Sequence, residues 1–160
     1  LLHWCLWKKI GDVTASRSDV KPLDEEAWND EIDFPKNLKE EVFIKHIKGP
    51  LFFGSTSDFQ NLADQIPDTA SIVIIRLGRM PYMDQSGLYV MEDVLLDLKS
   101  KNIDVVFVNV LEQPRYMMER IDIIPDFISE ECIFNDFNDC MSWIKEKATI
   151  SEWSLLIMTF

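Results

Sequence analysis

From Glu41 onward, apolar positions fall into short runs that switch between two periods. Val42, Ile44 and His46 alternate with Phe43, Lys45 and Ile47, the repeat of a strand exposed on one side. Gly49-Pro50 marks a turn and Leu51 to Phe53 reads as a short buried strand, so the two strands predict an opening hairpin. Gly54 to Asp58 starts a helix whose face is Phe59, Leu62, Ala63 and Ile66, and Pro67 stops it. Ile72 to Leu77 predicts a strand buried on both faces, as a central strand covered by helices would be. Leu88, Met91, Leu95 and Leu98 then form a helical stripe, with Glu92, Asp93 and Asp97 outside and Lys99 and Lys101 at the end where cations suit the dipole. Ile103 to Val110 is the next buried strand, and Gln113-Pro114 opens a helix carrying Tyr116, Met117 and Ile121 that ends before Pro125. Cys132 to Phe134 is a short last strand, and a final helix from about Phe137 to Lys147 turns Cys140, Met141 and Ile144 inward.

Strands alternating with helices after an opening hairpin predict an α/β fold with a mixed central β-sheet flanked by about four helices. The flanks read differently. Leu1 to Ile10 is apolar and aromatic, then basic, which fits either an amphipathic helix packed on the domain or the edge of a membrane. Residues 11–39 are polar and acidic with Pro22 and Pro35, a linker holding at most one helical turn near Glu25–Trp28. Residues 149–160 form a mostly apolar C-terminal tail without a clear period.

Charge narrows the functions. At 160 residues and a formal charge of −12, the chain lacks the basic patches that nucleic acid requires, and it is poorly suited to lie on anionic lipid. Cys5, Cys132 and Cys140 are odd in number and far apart, without metal-ligand spacing to each other or to His3 and His46. A reducing compartment is therefore expected, and neither a metal nor a cofactor. The chain has no initiator Met and no signal peptide, as a fragment would, and no apolar run long enough to cross a bilayer. Glycines are too dispersed for a phosphate loop, no Ser–His–acid set is plausible, and pairs such as Glu130-Glu131 read as solvated charge. No catalytic residues are expected.

One stretch stands apart. Between the central strand and the long helix, Asp84 and Ser86 are side chains suited to a helix start, and Gly87 allows close backbone approach. A hydroxyl there, beside free amides and the positive end of the dipole, suits either a plain cap or an anion. The segment Asp84-Gln85-Ser86-Gly87-Leu88 is similar to the signature Asp-x-[Ser/Thr]-Gly-Leu of STAS domains, which form bacterial anti-sigma-factor antagonists and the cytoplasmic tails of SulP anion transporters. Asn109 and Cys132 to Phe134 also sit where that family has comparable features, so the resemblance covers residues 40–148. Leu6-Trp7-Lys8-Lys9-Ile10-Gly11-Asp12-Val13-Thr14 resembles the Phe-x-Lys-Arg-Met-x-Asp-Val-Thr stretch that ends the membrane part of SulP transporters. Gly49-Pro50-Leu51-Phe52-Phe53 reproduces a run common in their tails.

The resemblance implies a STAS-type, antagonist-like fold and a non-catalytic regulatory domain of a sulfate or related anion transporter, on the cytoplasmic side of the membrane. Residues 1–10 then become the end of the membrane region or a juxtamembrane segment. The implied partners are the membrane domain of the same transporter and a cytosolic regulatory protein, with assembly into an oligomer through the full transporter. The docking loop would be Tyr82, Met83, Asp84, Gln85, Ser86, Gly87 and Leu88, with Ser86 at the antagonists' phosphoacceptor position and Gln85 where antagonists often have Ser. The alternatives are a stand-alone antagonist and a nucleotide-sensing module, the second disfavoured by the acidic balance.

Overall fold

The computed structural model describes residues 27–32, 34–35, 38, 41–52 and 56–158. The expected membrane-edge segment, most of the linker and Phe53 lie outside them. Four strands, β1 (Val42–Lys48), β2 (Ile72–Arg79), β3 (Asp104–Val108) and β4 (Ile133–Phe134), pair in that order, all parallel. The helices are α1 (Thr56–Gln60), α2 (Leu62–Gln65), α3 (Gln85–Ser100), α4 (Glu112–Glu119) and α5 (Phe137–Met158). The single helix expected from its start in Gly54–Asp58 to Ile66 is thus broken at Asn61, between α1 and α2.

The two-residue period of the strands divides the core. Val73, Ile75, Leu77 and Phe107 face one layer with Phe59, Leu62, Leu88, Met91, Leu95 and Leu98 of α1, α2 and α3. Ile74, Val106 and Val108 face the other, where Phe137, Cys140, Met141 and Ile144 of α5 cover them. Burial on both faces is what the unbroken apolar runs of β2 and β3 predict.

Three expectations are corrected. Among the described residues the sheet is parallel rather than mixed, because the chain after Gly49 does not fold back on β1. Gly49 takes φ 82°, a left-handed conformation that costs glycine least, and its amide donates to the Arg79 carbonyl at 2.8 Å. The chain then runs alongside the extension of β2, so Leu51 forms a lone parallel bridge with Met83 instead of a hairpin strand. β1 is covered on both faces rather than one, since part of the expected linker packs across it. Glu31 and Leu38 of that segment are buried, and Leu38 joins Val42 in the core beneath α5. Finally, α5 continues to Met158, well past Lys147, because no Gly or Pro between them stops it once the amphipathic period fades.

Candidate functional site

β2 delivers the chain to the loop at the carboxyl end of the sheet, the edge at which open α/β sheets place their ligands. Met80 and Met83 are fully buried in the core, while Pro81 and Tyr82 stay outside. Asp84 is the N-cap of α3. Its backbone is extended, and its Oδ1 accepts the Gly87 amide at 2.8 Å while its carbonyl accepts the Leu88 amide at 2.9 Å. Ser86 is the second residue of the helix and partly exposed, so Asp84 caps and Ser86 follows the cap.

Gly87 is there for space. A Cβ at this position would lie 2.4 Å from the Leu51 carbonyl oxygen. The Leu51 amide donates to the Tyr82 carbonyl at 2.9 Å, and the Asp84 amide to the Leu51 carbonyl at 3.1 Å, so Leu51 is stitched to the chain on both sides of Met83, at the start of the signature. Gln113 of α4 clamps the loop from the other side. Its Oε1 accepts the Met83 amide and its Nε2 donates to the Met83 carbonyl, each at 2.9 Å.

Met83 is therefore not the exposed contact residue that the sequence suggested, because its backbone is bridged to Leu51 and its side chain fills the core. What faces outward is aromatic. Tyr82 is 50% exposed and Tyr116 is 58% exposed, with Leu111 and Tyr89 also at the surface. Tyr89 is held by Gln85, whose Nε2 donates to the tyrosine oxygen at 2.9 Å. Pro81, Leu111, Gln113 and Tyr116 line an open groove of about 720 Å³, rimmed by Glu112, Arg115 and Glu119. A smaller cavity of about 240 Å³, between Leu95, Lys99 and the Pro125–Ser129 turn, is formed by residues outside the signature loop.

Gln113 and Tyr116 escaped the sequence reading. In sequence Gln113 is a helix opener beside Pro114, and a clamp on backbone thirty positions away leaves no local pattern. Tyr116 carried a signal: Pro114 and Met118 are the buried pair of α4 at i, i+4, which puts Tyr116 on the opposite face. Asn109 takes φ 59° just after β3, its amide donates to the Phe134 carbonyl at 2.8 Å, and its Nδ2 donates to the Asn135 carbonyl. It ties the end of β3 to β4. Cys140 is wholly buried, and burial pushes its thiol up to about 12, so it remains protonated as a small apolar core residue.

Residues 34–140, more than half of the chain, match the STAS domain family. The chain belongs to that family. The match begins somewhat before, and ends somewhat before, the 40–148 span expected from the sequence. No match was found among curated proteins. Among solved structures, a sulfate transporter family protein from Wolinella succinogenes aligns with TM-score 0.63 and 21% identity, covering 76% of this chain and 96% of that one. The STAS domain of a SulP transporter from Vibrio cholerae aligns with TM-score 0.59 and 21% identity, covering 72% and 87%. The anti-sigma factor antagonist SpoIIAA, in its unphosphorylated form, aligns with TM-score 0.54 and 13% identity, covering 67% and 90%. At these identities the likeness is one of fold, and transporter domains and an antagonist share it.

Proposed function

We propose that this STAS domain is the non-catalytic, cytosolic regulatory and interaction module of a SulP-type transporter for sulfate or a related inorganic anion. It would sit on the cytoplasmic side of the membrane as the tail of an integral membrane protein. The observation that carries this reading is the seating of Leu51 on Gly87. Leu51, from the run similar to transporter tails, and Asp84 to Leu88, the family signature, thereby act as one unit, with Leu51 the floor on which the start of α3 rests. The stretch Leu6 to Thr14 adds support from sequence. In this reading Pro81, Tyr82, Tyr89, Leu111 and Tyr116 form the docking face for the membrane domain or a cytosolic regulator, since exposed aromatic side chains are what interface cores favour.

No helix among the described residues is long and apolar enough to cross a membrane; in the proposed reading the spans would be encoded ahead of Leu1. Reading the coding sequence ahead of Leu1 tests this directly. Repeated apolar segments of about 20 residues are expected there. A start codon at that point would sink the transporter assignment and favour a stand-alone antagonist.

The second reading, a switch at Ser86, is favoured by its place two residues past the Asp84 cap, partly exposed at the positive end of α3. A phosphate would gain from the dipole and lose against the Asp84 carboxylate, so the modified loop would present a different charge to a partner. A Ser86→Glu chain should differ from wild type in partner binding. Equal binding by both would reduce Ser86 to a helix residue.

A further inference from the structure

Among the described residues, the most heavily charged buried cluster has no part in the signature loop. Arg76 of β2 is 3% exposed and lies between two aromatic rings, Trp28 at 4.3 Å and Phe137 at 4.7 Å. Its Nη1 donates to Asp30 Oδ1 at 2.7 Å and Glu31 Oε1 at 2.6 Å, and its Nη2 to Asp30 Oδ2 at 2.8 Å and Asn109 Oδ1 at 3.2 Å. Glu31, 4% exposed, also meets His46 Nε2 at 2.8 Å, and the His46 ring packs on Trp28 with centroids 4.8 Å apart. Arg79 covers Trp28 at 4.3 Å.

These partners have two different origins. His46, Arg76, Arg79, Asn109 and Phe137 belong to the matched family region, which starts at residue 34. Trp28, Asp30 and Glu31 precede it, on a strap whose 3₁₀ turn, Asn29–Glu31, is too short to be stable alone. Burying an arginine in a sheet is costly unless carboxylates meet it, and a guanidinium fork fits a carboxylate two bonds at a time, as Asp30 does here. The domain thus presents a basic, aromatic-walled seat that is completed by an acidic, tryptophan-bearing segment. His46 and Arg76 are register neighbours near the carboxyl ends of β1 and β2. Arg76 Nε of the seat and Trp28 Nε1 of the strap are buried without a protein acceptor, so each side of the contact leaves one donor unused.

We propose that the His46–Arg76–Arg79 surface is a docking seat for acidic, tryptophan-bearing peptide segments, and that residues 28–31 are its built-in occupant, able to leave while the sheet stays folded. A partner carrying the same acid and aromatic chemistry would compete for the seat, and docking would be gated by the strap. The idea does not rest on the transporter reading.

Two measurements on the whole chain test it. In native-state hydrogen exchange, the Glu31 and Phe34 amides, bonded to the Trp28 and Glu31 carbonyls, should exchange at least about tenfold faster than those of β2, as in a local opening. Exchange of strap and β2 at one common rate would overturn the proposal, because the strap would then be part of the cooperative fold. Next, a synthetic peptide of residues 26–34 is titrated into wild type and into an Asp30→Asn/Glu31→Gln chain whose β2 amides remain protected. Saturable shifts of the His46 and Arg76 amides are expected in the variant, about tenfold or more weaker in wild type, and lost with a peptide carrying the same two substitutions. Equal binding to both chains, or none to the variant, would overturn it.

Discussion

Replacing Gly87 with alanine ought to help a helix, since alanine is ordinarily favoured over glycine by about 0.5–1 kcal/mol in such a position. Here the opposite is expected. The new methyl would meet the Leu51 carbonyl oxygen at 2.4 Å, and that carbonyl is held in place by the Asp84 amide. Backbone has to move, and overpacking of this kind costs about 1–3 kcal/mol. The denaturant midpoint of Gly87→Ala should fall accordingly, while Ser86→Ala next to it should stay within about 0.5 kcal/mol of wild type. A neutral or stabilised Gly87→Ala would mean that Leu51 does not bear on the helix start. The glycine was legible in the sequence as a point of close approach, but the atom approaching it was not. Leu51 is a long way off along the chain, and only the turn at Gly49 and the extension of β2 bring it there.

Elements were legible where one period covers one environment. β2, β3, α3 and the start of α5 follow from their apolar spacing because each packs against the layer it faces. The segment from Trp28 to Leu38 was not legible, since it is acidic, interrupted by Pro35 and without period. Its value lies in partners that no local window contains: Glu31 meets His46 fifteen residues on and Arg76 forty-five residues on. The same blindness made β1 look half exposed. This strap should respond to acid. Hydrogen bonds from Arg76 hold the Asp30 carboxyl below its ordinary value of 3.8. Burial opposes ionisation of Glu31, yet hydrogen bonds from His46 and Arg76 outweigh it and hold Glu31 below 4.5. Both folded values are depressed, so their contribution is fully present above the ordinary carboxylate range. It is lost as pH falls from about 4.5 through the lower folded values. Stability of the wild type measured by denaturant between neutral pH and pH 3 should carry this acid limb, and the Asp30→Asn/Glu31→Gln chain should show a shallower one. Parallel curves for the two proteins would show that the pair makes no net contribution to folding.

At the scale of the molecule, a charge of −12 favours a solvated surface, and among the described residues the tyrosines around the groove form a cluster of exposed aromatic side chains. Their exposure separates two explanations. A tyrosine that matters for folding is buried and partnered, and its loss lowers stability. Tyr82 and Tyr116, each at least half exposed, have little burial to lose, so a Tyr82→Ala/Tyr116→Ala chain should unfold within about 0.5 kcal/mol per site of wild type. If the face docks against the membrane domain or a cytosolic regulator, the same two changes remove aromatic anchors of the kind that dominate interfaces, where each truncation costs about 1–2 kcal/mol or more. Association should then weaken by about tenfold or more while the unfolding midpoint barely moves. Measuring both quantities on one preparation makes the comparison internal. A midpoint that falls in step with binding would assign the tyrosines to the fold. Unchanged binding with an unchanged midpoint would move the docking face elsewhere, and the strap seat at Arg76 would be the next surface to probe.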